Sequence, residues 1–483
     1  MKNETRNFLL LVGLFLGVNL LTLTRFPSVW VDEIQFADPA VRLASGQGFT
    51  STAWFGQDSH HFFAGNVPLF SGLLGGWLSM VGPGLIAERL FNLGLFVGIL
   101  ALVGRFLKRT SLVPSPGWRM VALVLLATGH AMTFSYRSGR YDVLGMFLTA
   151  VCMNLWIEER GWIYLAVAGL FMPAAGLQIL PAAVLACAVL MVLGGKWAVK
   201  RSAALLGGCA GGVVALNLLY RHFGVWEDFQ RSTRSIGIIG QSLVQKLLSL
   251  PSVYVNDKSR ALLFLALLLL LALGQRALMS GLQKRFLGGV LAMSILLPVA
   301  MQMAGKFPVY YGWMIFLPLV IAFAALASAV WSTCGTFTRV AGATLLALAM
   351  LVGLPLRTLS VLSTWQERDP QRVKAFVESN VAPGETALAD FKLYYALRST
   401  QAPTILPTYI PALRGDDISR INVLLLRPED LPAAQKAMGA GWEPTGSQLI
   451  APRSPAVFRG LISELREESY IVTVYRRVPV AAR

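Results

Sequence analysis

Long apolar segments recur along most of this chain, and they restrict its fold more than any other feature. A helix that spans a membrane needs about 20 apolar residues. Segments that reach this length, alone or with their flanks, centre on residues 8–23, 85–107, 121–134, 143–157, 163–175, 179–193, 203–219, 261–273, 286–303, 309–331 and 340–356. Of the 483 residues, 55% are hydrophobic and 14% are charged, which is typical of membrane proteins. The sequence therefore predicts a polytopic α-helical membrane protein with about eleven transmembrane helices.

Basic residues give the orientation of these helices, because short cytoplasmic loops are rich in Lys and Arg. The first segment follows Lys2 and Arg6 and lacks a small-residue cleavage site, so we expect a retained helix with a cytoplasmic N-terminus. An odd helix count then places the C-terminal region outside.

External regions without cysteine or a glycosylation sequon favour the bacterial inner (plasma) membrane. The predicted cytoplasmic connections contain Arg105, Lys108, Arg109, Arg119, Lys196, Lys200, Arg201, Arg276, Lys284, Arg285 and Arg339.

Further basic residues lie in predicted external loops, where they are unfavourable for topology and therefore suggest phosphate binding. Arg137 and Arg140 lie in one loop. The other loop, residues 221–260, contains or adjoins Arg221, Arg231, Arg234, Lys246, Lys258 and Arg260. The formal net charge of +17 fits contact with membrane lipid, and its distribution within a membrane protein argues against nucleic acid as a partner.

The first external loop, residues 25–84, begins with an acidic pair, Asp32 and Glu33. Apolar residues at helical spacing follow and predict a short amphipathic helix lying in the membrane interface, with Arg42 on its polar side. A second apolar stretch starts at Pro68 and is expected to lie along the membrane surface. Between the two stretches, we expect Trp54, His60 and His61 to face the external space.

Composition changes after residue 356, where charge rises and apolar runs shorten. We expect a transmembrane domain over residues 1–360 and a soluble external α/β domain over residues 361–483, acting as a lid, an acceptor-binding module or a scaffold. Predicted strands cover residues 386–390, 421–426 and 470–475, and predicted helices cover residues 372–381 and 431–438, the latter with Asp430 as its N-cap. Within the membrane helices, Gly207-Gly208 and Gly211-Gly212 predict close-packed seams.

The order of several short motifs resembles a known family. The acidic pair is followed by Ala44-Ser45-Gly46-Gln47-Gly48-Phe49, Pro68-Leu69, Glu88-Arg89-Leu90 and Arg137-Ser138-Gly139-Arg140-Tyr141-Asp142. This order is similar to that of the GT-C membrane glycosyltransferases, notably the protein O-mannosyltransferase and aminoarabinose-transferase branch. The resemblance implies sugar transfer from a polyprenyl-phosphate donor at the external face of the membrane. This chain departs from the family at Gly176-Leu177-Gln178, where relatives often have Lys-Gly. Lys306 or Arg234 would have to replace the contact that this lysine makes with the lipid phosphate.

The resemblance places the family's acidic motif on Asp32 and Glu33 and its basic turn on Arg137, Arg140 and Asp142, and the chemistry of glycosyl transfer suggests a role for each. Asp32 is expected to act as the base that takes a proton from the acceptor, and Glu33 to orient the acceptor or the first helix. Arg137 and Arg140 are expected to hold the donor phosphate with charge-assisted hydrogen bonds. Asp142 is expected to orient an arginine or to bind the sugar. Direct displacement with a single base would invert the anomeric centre.

Other polar residues give weaker signals. His60 and His61 are adjacent and would need further ligands, such as Asp58 or Glu33, to bind a divalent metal such as Mg or Mn; sugar contact or interfacial packing is the alternative. Tyr310, beside Lys306, is expected either to contact substrate or to belong to an aromatic belt.

Two different functions remain open from the sequence. A transporter or flippase of a polyprenyl-linked lipid would need ionisable residues at mid-membrane and paired broken helices. A non-catalytic scaffold would tolerate replacement of Asp32. The acceptor is also open, since a glycan, a lipid and a protein are all compatible with these motifs.

Overall fold

The described part of residues 1–363 forms a helical bundle. The computed structural model describes residues 2–54, 57–158, 161–236, 242–305, 307–399, 403–413, 415–439, 441–450, 454–461 and 470–477. The helices are α1 (Lys2–Thr22), α2 (Val31–Ala44), α3 (Pro68–Val81), α4 (Leu85–Thr110), α5 (Pro116–Thr128), α6 (His130–Arg137), α7 (Asp142–Trp156), α8 (Gly161–Ala175), α9 (Ile179–His222), α10 (Trp226–Ile236), α11 (Leu243–Val255), α12 (Lys258–Leu273), α13 (Gly281–Ala304), α14 (Trp313–Val330), α15 (Thr336–Leu351) and α16 (Leu354–Ser363). Nearly every side chain of α14 is buried, so this helix lies at the centre of the core.

Five helices within the described ranges are long and apolar enough to cross a membrane. A sixth span is formed if α15 and α16, which are bent by 48° relative to each other, are counted together. Shorter apolar helices include α3, α5, α7 and α8. The predicted total of about eleven spans stays a prediction, because length and composition alone do not assign the short helices.

The long helical run α9 contains a reversal of chain direction. Ser202 Oγ donates to the carbonyl of Cys187 over 3.4 Å, whereas a straight helix would separate these residues by about 22 Å. The predicted spans 179–193 and 203–219 therefore lie on the two arms of a hairpin. The pair Gly194-Gly195 and the basic residues that follow lie between the arms.

The C-terminal part is a five-stranded sheet flanked by helices. Its elements are α17 (Pro370–Asn380), β1 (Thr386–Ala389), α18 (Tyr394–Ser399), β2 (Thr404–Ile405), α19 (Gly415–Arg420), β3 (Ile421–Leu426), α20 (Leu431–Met438), β4 (Trp442–Ile450), α21 (Ala456–Leu461) and β5 (Ile471–Arg477). The strand order is β2-β1-β3-β5-β4. Strand β1 pairs in parallel with β2 and β3, whereas β5 is antiparallel to β3 and β4. The domain division at residue 360 stays a prediction.

The predicted strands and helices of this part are present, with small shifts at their ends. The short β2 and the polar, largely exposed β4 were not predicted, since neither has the apolar alternation that marks a strand. Asp430 occupies the predicted N-cap position of α20. Its side chain makes no capping hydrogen bond and instead lies 3.2 Å from Arg427 Nε.

The loop of residues 25–84 folds against the C-terminal part. The predicted amphipathic helix is present as α2, but it is enclosed by protein rather than lying in the membrane interface, because the side chains from Glu33 to Val41 are all buried. Asp38 accepts hydrogen bonds from Ser51 Oγ at 2.9 Å and from Tyr394 OH at 2.8 Å. Trp54 was expected to face outward but is buried against Phe36 and Phe63, since docking of the loop encloses it. His60 and His61 are exposed as predicted.

The glycine seam is confirmed at two of its four positions and gives a stability prediction. A Cβ at Gly208 would lie 2.1 Å from the carbonyl oxygen of Ala166 in α8, whereas one at Gly207 would meet nothing within 4 Å. Gly208→Ala should therefore destabilise the protein by about 1–3 kcal/mol. Gly207→Ala should be neutral or stabilising, because alanine favours the helix. Thermal unfolding in detergent compares the two, and equal melting temperatures would contradict the seam.

Candidate active site

The first turn of α2 carries two carboxylates that point to different partners. Asp32 and Glu33 follow the extended backbone of Trp30, and their charge is favourable near a helix N-terminus. Consecutive residues of a helix point about 100° apart. The two side chains therefore reach different neighbours, and each one binds a buried arginine.

Asp32 binds Arg140, which lies at the centre of a charged cluster. The Arg140 guanidinium donates to Asp32 through Nη1 and to Asp142 through Nε. It also lies 3.7 Å from the centre of the Tyr310 ring and 5.2 Å from that of Trp30. We call these five residues the Arg140 cluster. Arg140 and Asp142 are almost completely buried, whereas 24% of the Asp32 side chain is exposed.

Burial and charge act on Arg140 in opposite directions. Loss of water around the guanidinium disfavours its charged form, while the carboxylates of Asp142 and Asp32 favour it. The carboxylates dominate, so the pKa of Arg140 is raised well above its ordinary value, and the cation is kept in place.

A tight turn between α6 and α7 brings Arg140 to this position. Gly139 has a φ of +62°, a backbone conformation that side chains other than glycine disfavour. A Cβ there would lie 2.3 Å from Glu88 Oε1 and 2.7 Å from Glu33 Cγ. The Arg-Ser-Gly-Arg turn therefore needs glycine both for its backbone and for the close approach of two carboxylates.

Glu33 forms a second buried pair, with Arg89 of α4. Arg89 Nε and Nη2 donate to the two carboxylate oxygens of Glu33 at 2.7 and 2.9 Å. The same guanidinium donates to the carbonyls of Leu23 and Pro27 at 2.6 and 3.0 Å. Both side chains are fully buried. This geometry fits the expectation that Glu33 orients the end of the first helix, and it leaves Glu33 no access to an acceptor.

Arg137 lies apart from these carboxylates. Its Nη1 donates to Asn19 Oδ1 at 2.5 Å, and Nη2 donates to Thr22 Oγ1 and to the carbonyl of Phe26, each at 2.8 Å. Its Nε is buried and has no hydrogen-bond partner among the described residues. Among the described residues, no carboxylate lies within ion-pair distance of the Arg137 guanidinium.

The other predicted site residues lie elsewhere or outside the described structure. Tyr310 belongs to the Arg140 cluster. His61 Nδ1 lies 3.3 Å from Asp228 of α10, and the backbone N–H of His60 donates to Asp58, so neither histidine contacts Asp32. Arg234 lies in α10, but its side chain is outside the described structure, as is the whole of Lys306. No group of three or more His, Cys, Asp or Glu residues in the described ranges is arranged to hold a metal ion.

Two cavities adjoin this region. The smaller one, of about 40 Å³, is lined by Phe26, Pro27, Ser28, Trp30, Thr133, Phe134, Arg137, Ser138, Arg357 and Lys392. The larger one, of about 520 Å³, lies between the first loop, the start of α4 and the C-terminal part. Ser28 and Lys392 line both cavities, so the cavities adjoin each other there.

Three buried charged residues near the site were not predicted to have a role there. Glu88 was visible only as part of a motif, and Arg357 is a single arginine near the end of the last apolar segment. Lys392 follows a strand of the C-terminal part. Nothing in the sequence around it indicates that it lies near the membrane helices. Only the docking of the C-terminal part brings Lys392 to the cavity.

Comparisons with known proteins identify the fold. No protein-family model matches the chain, and no curated protein matches its sequence. The crystal structure of ArnT from Cupriavidus metallidurans bound to undecaprenyl phosphate superimposes with a TM-score of 0.59 at 12% identity, covering 96% of this chain and 97% of that one. The apo state of ArnT gives 0.58 with the same identity and coverage. The cryo-EM structure of the mycobacterial arabinofuranosyltransferase AftD gives 0.48 at 16% identity, covering 98% of this chain and 40% of that one.

The chain therefore has the fold of the GT-C membrane glycosyltransferases, as its motifs predicted. Its long apolar helices together with this fold make it a multi-pass membrane protein.

The Glu33–Arg89 pair gives a second stability prediction. Arg89→Gln leaves the buried carboxylate of Glu33 without its cation, which should cost about 3–5 kcal/mol. Arg105→Gln is the control, because the Arg105–Glu158 pair is partly exposed and should contribute about 0–1 kcal/mol. Unfolding in detergent measures both changes, and an Arg89 variant as stable as the Arg105 variant would contradict the structural role.

Proposed function

We propose that this protein is an integral membrane glycosyltransferase that moves a sugar from a polyprenyl-phosphate donor to an acceptor at the external face. One observation carries this proposal. Asp32 is a partly exposed carboxylate that binds the buried Arg140, in a chain with the GT-C fold. An acid held in one orientation by a buried cation, yet open on one side, is suited to act as a base.

The proposed step is a direct displacement at the anomeric carbon. A hydroxyl or amine of the acceptor attacks this carbon and forms the new glycosidic bond, while the bond from carbon to the phosphate oxygen breaks. The acceptor proton goes to Asp32, and the bonding electron pair leaves with the phosphate as polyprenyl phosphate. Attack opposite to the leaving group inverts the anomeric centre.

The arginines have different roles in this scheme. Arg140 already faces Asp32 and Asp142, so we assign it chiefly to positioning the base. Arg137 has no carboxylate partner among the described residues and supplies the main contact to the donor phosphate. Glu33 acts through Arg89 as a positioning residue, and Tyr310 bounds the site through its ring.

The larger cavity is the proposed entry for the acceptor. Its volume of about 520 Å³ lies within the range of ligand pockets. Leu85 and Ile86 line it at the start of an apolar helix, and Arg368 and Arg398 line it on the side of the C-terminal part. This mixture suits an acceptor that is partly membrane-bound. In this scheme the cytoplasmic N-terminus and the external C-terminal domain follow the predicted topology, in a bacterial inner membrane.

Replacement of the proposed base separates an enzyme from a transporter or a scaffold. Asp32→Asn should lower the transfer rate at least about 10²-fold, because the amide cannot accept the proton, while donor binding and expression persist. Asp416→Asn, at an exposed position of α19, is the control and should retain full activity. Turnover by Asp32→Asn at the wild-type rate would remove Asp32 as the base.

The donor itself can be identified directly. Purified protein is incubated with a panel of polyprenyl-phosphate sugars and candidate acceptors, and products are read by mass spectrometry. We expect one sugar to be transferred with release of polyprenyl phosphate, and unchanged donors across a panel with matched acceptors would contradict the proposed reaction.

A further inference from the structure

The charges around the site divide into an acidic side and a basic side. At the Arg140 cluster, one guanidinium faces the carboxyl groups of Asp32 and Asp142. A phosphate placed there would meet two carboxylates, and like charges at such distances repel. The departing phosphate instead needs cations where its negative charge increases. Arg137, whose hydrogen bonds go to neutral oxygen atoms of Asn19, Thr22 and Phe26, meets this requirement better than Arg140.

Arg137 and two further cations from distant parts of the chain line the smaller cavity. Arg357 comes from α16, and Lys392 comes from the short turn that follows β1. None of the described residues that line this cavity is acidic. Its volume of about 40 Å³ exceeds the roughly 10–15 Å³ that one water requires. The cavity therefore has room for more than one water-sized group, which suits a phosphate.

The three cations are held in place by the surrounding fold. Arg357 Nη1 lies 3.4 Å from the carbonyl of His130, at the start of α6. Lys392 Nζ donates to the carbonyl of Val29 at 3.2 Å and lies 4.5 Å from the ring centre of Tyr470. The lysine of the C-terminal part is thus fixed on the chain just before α2. A preorganised set of donors suits a charge that develops during a reaction.

We propose that Arg137, Arg357 and Lys392 form the subsite for the donor phosphate, so that the C-terminal part completes the active site. This inference rests on the proposed function and goes beyond it by adding two residues to the site. Trp30 lines this cavity and its ring centre lies 5.2 Å from Arg140, so the proposal places a sugar attached to a phosphate in the cavity beside Trp30, between these cations and Asp32. The acid that takes the proton and the cations that receive the leaving group then lie on opposite sides of the sugar, as an inverting displacement requires.

Binding of undecaprenyl phosphate to the full-length protein tests this subsite, with uncharged undecaprenol as the reference lipid. Lys392→Met should weaken binding of the phosphate lipid about tenfold, because it removes one charge-assisted contact, and should leave undecaprenol binding unchanged. Lys392→Arg should retain binding. Native mass spectrometry in detergent measures both lipids, and melting temperatures verify folding.

Lys436→Met is the matched control, because it removes the same charge from an exposed position of α20 and should leave both affinities unchanged. Ser28→Asp provides a second variant that does not remove a packed lysine. It places a negative charge where the cavities adjoin, so it should weaken binding of the phosphate lipid, whereas Ser28→Asn should not.

The outcomes distinguish the subsite from the proposed function. Wild-type affinity for undecaprenyl phosphate in folded Lys392→Met and Ser28→Asp proteins would overturn the subsite alone. An equal loss for both lipids would also overturn it, since a packing role would then explain the effect. If the wild-type protein bound no undecaprenyl phosphate, the polyprenyl-phosphate function would fail and the subsite with it.

Discussion

Two buried arginines determine where the start of α2 lies. Arg140 binds Asp32, and Arg89 binds Glu33, so adjacent residues of one helical turn connect α2 to the turn before α7 and to α4. A buried charge without its partner costs several kcal/mol. The helix start cannot move without separating both pairs. The position of Asp32 is therefore fixed by the two ion pairs together, and the geometry of the candidate site depends on them.

The same arrangement gives the two carboxylates different access. Glu33 is enclosed and bound at both oxygens, whereas Asp32 keeps an open side. The fold thus separates a fully buried acid from a partly exposed one, although the two are neighbours in sequence. The C-terminal part contributes to this separation, because Tyr394 binds Asp38 in the buried α2 and Lys392 binds the backbone before it.

Sequence patterns predicted the features that depend on local periodicity. Strand β3 and helix α20 have the predicted bounds, since both have a strong apolar pattern. The chain reversal within α9 was predicted from basic residues between two apolar segments. The failures concern burial and pairing. Trp54 is buried against Phe36 and Phe63 of its own loop, and Asp430 occupies the N-cap position but its side chain pairs with Arg427.

The sequence by itself determined a helical membrane protein, the acidic pair after its first helix and the basic turn that faces it. These features follow from hydrophobic length and from motif order, which are properties of contiguous residues. Tertiary structure alone decided which carboxylate meets which arginine. It also brought Arg357 and Lys392 to one cavity, because their proximity depends on how the C-terminal sheet docks on the first loop, and no local pattern specifies that contact.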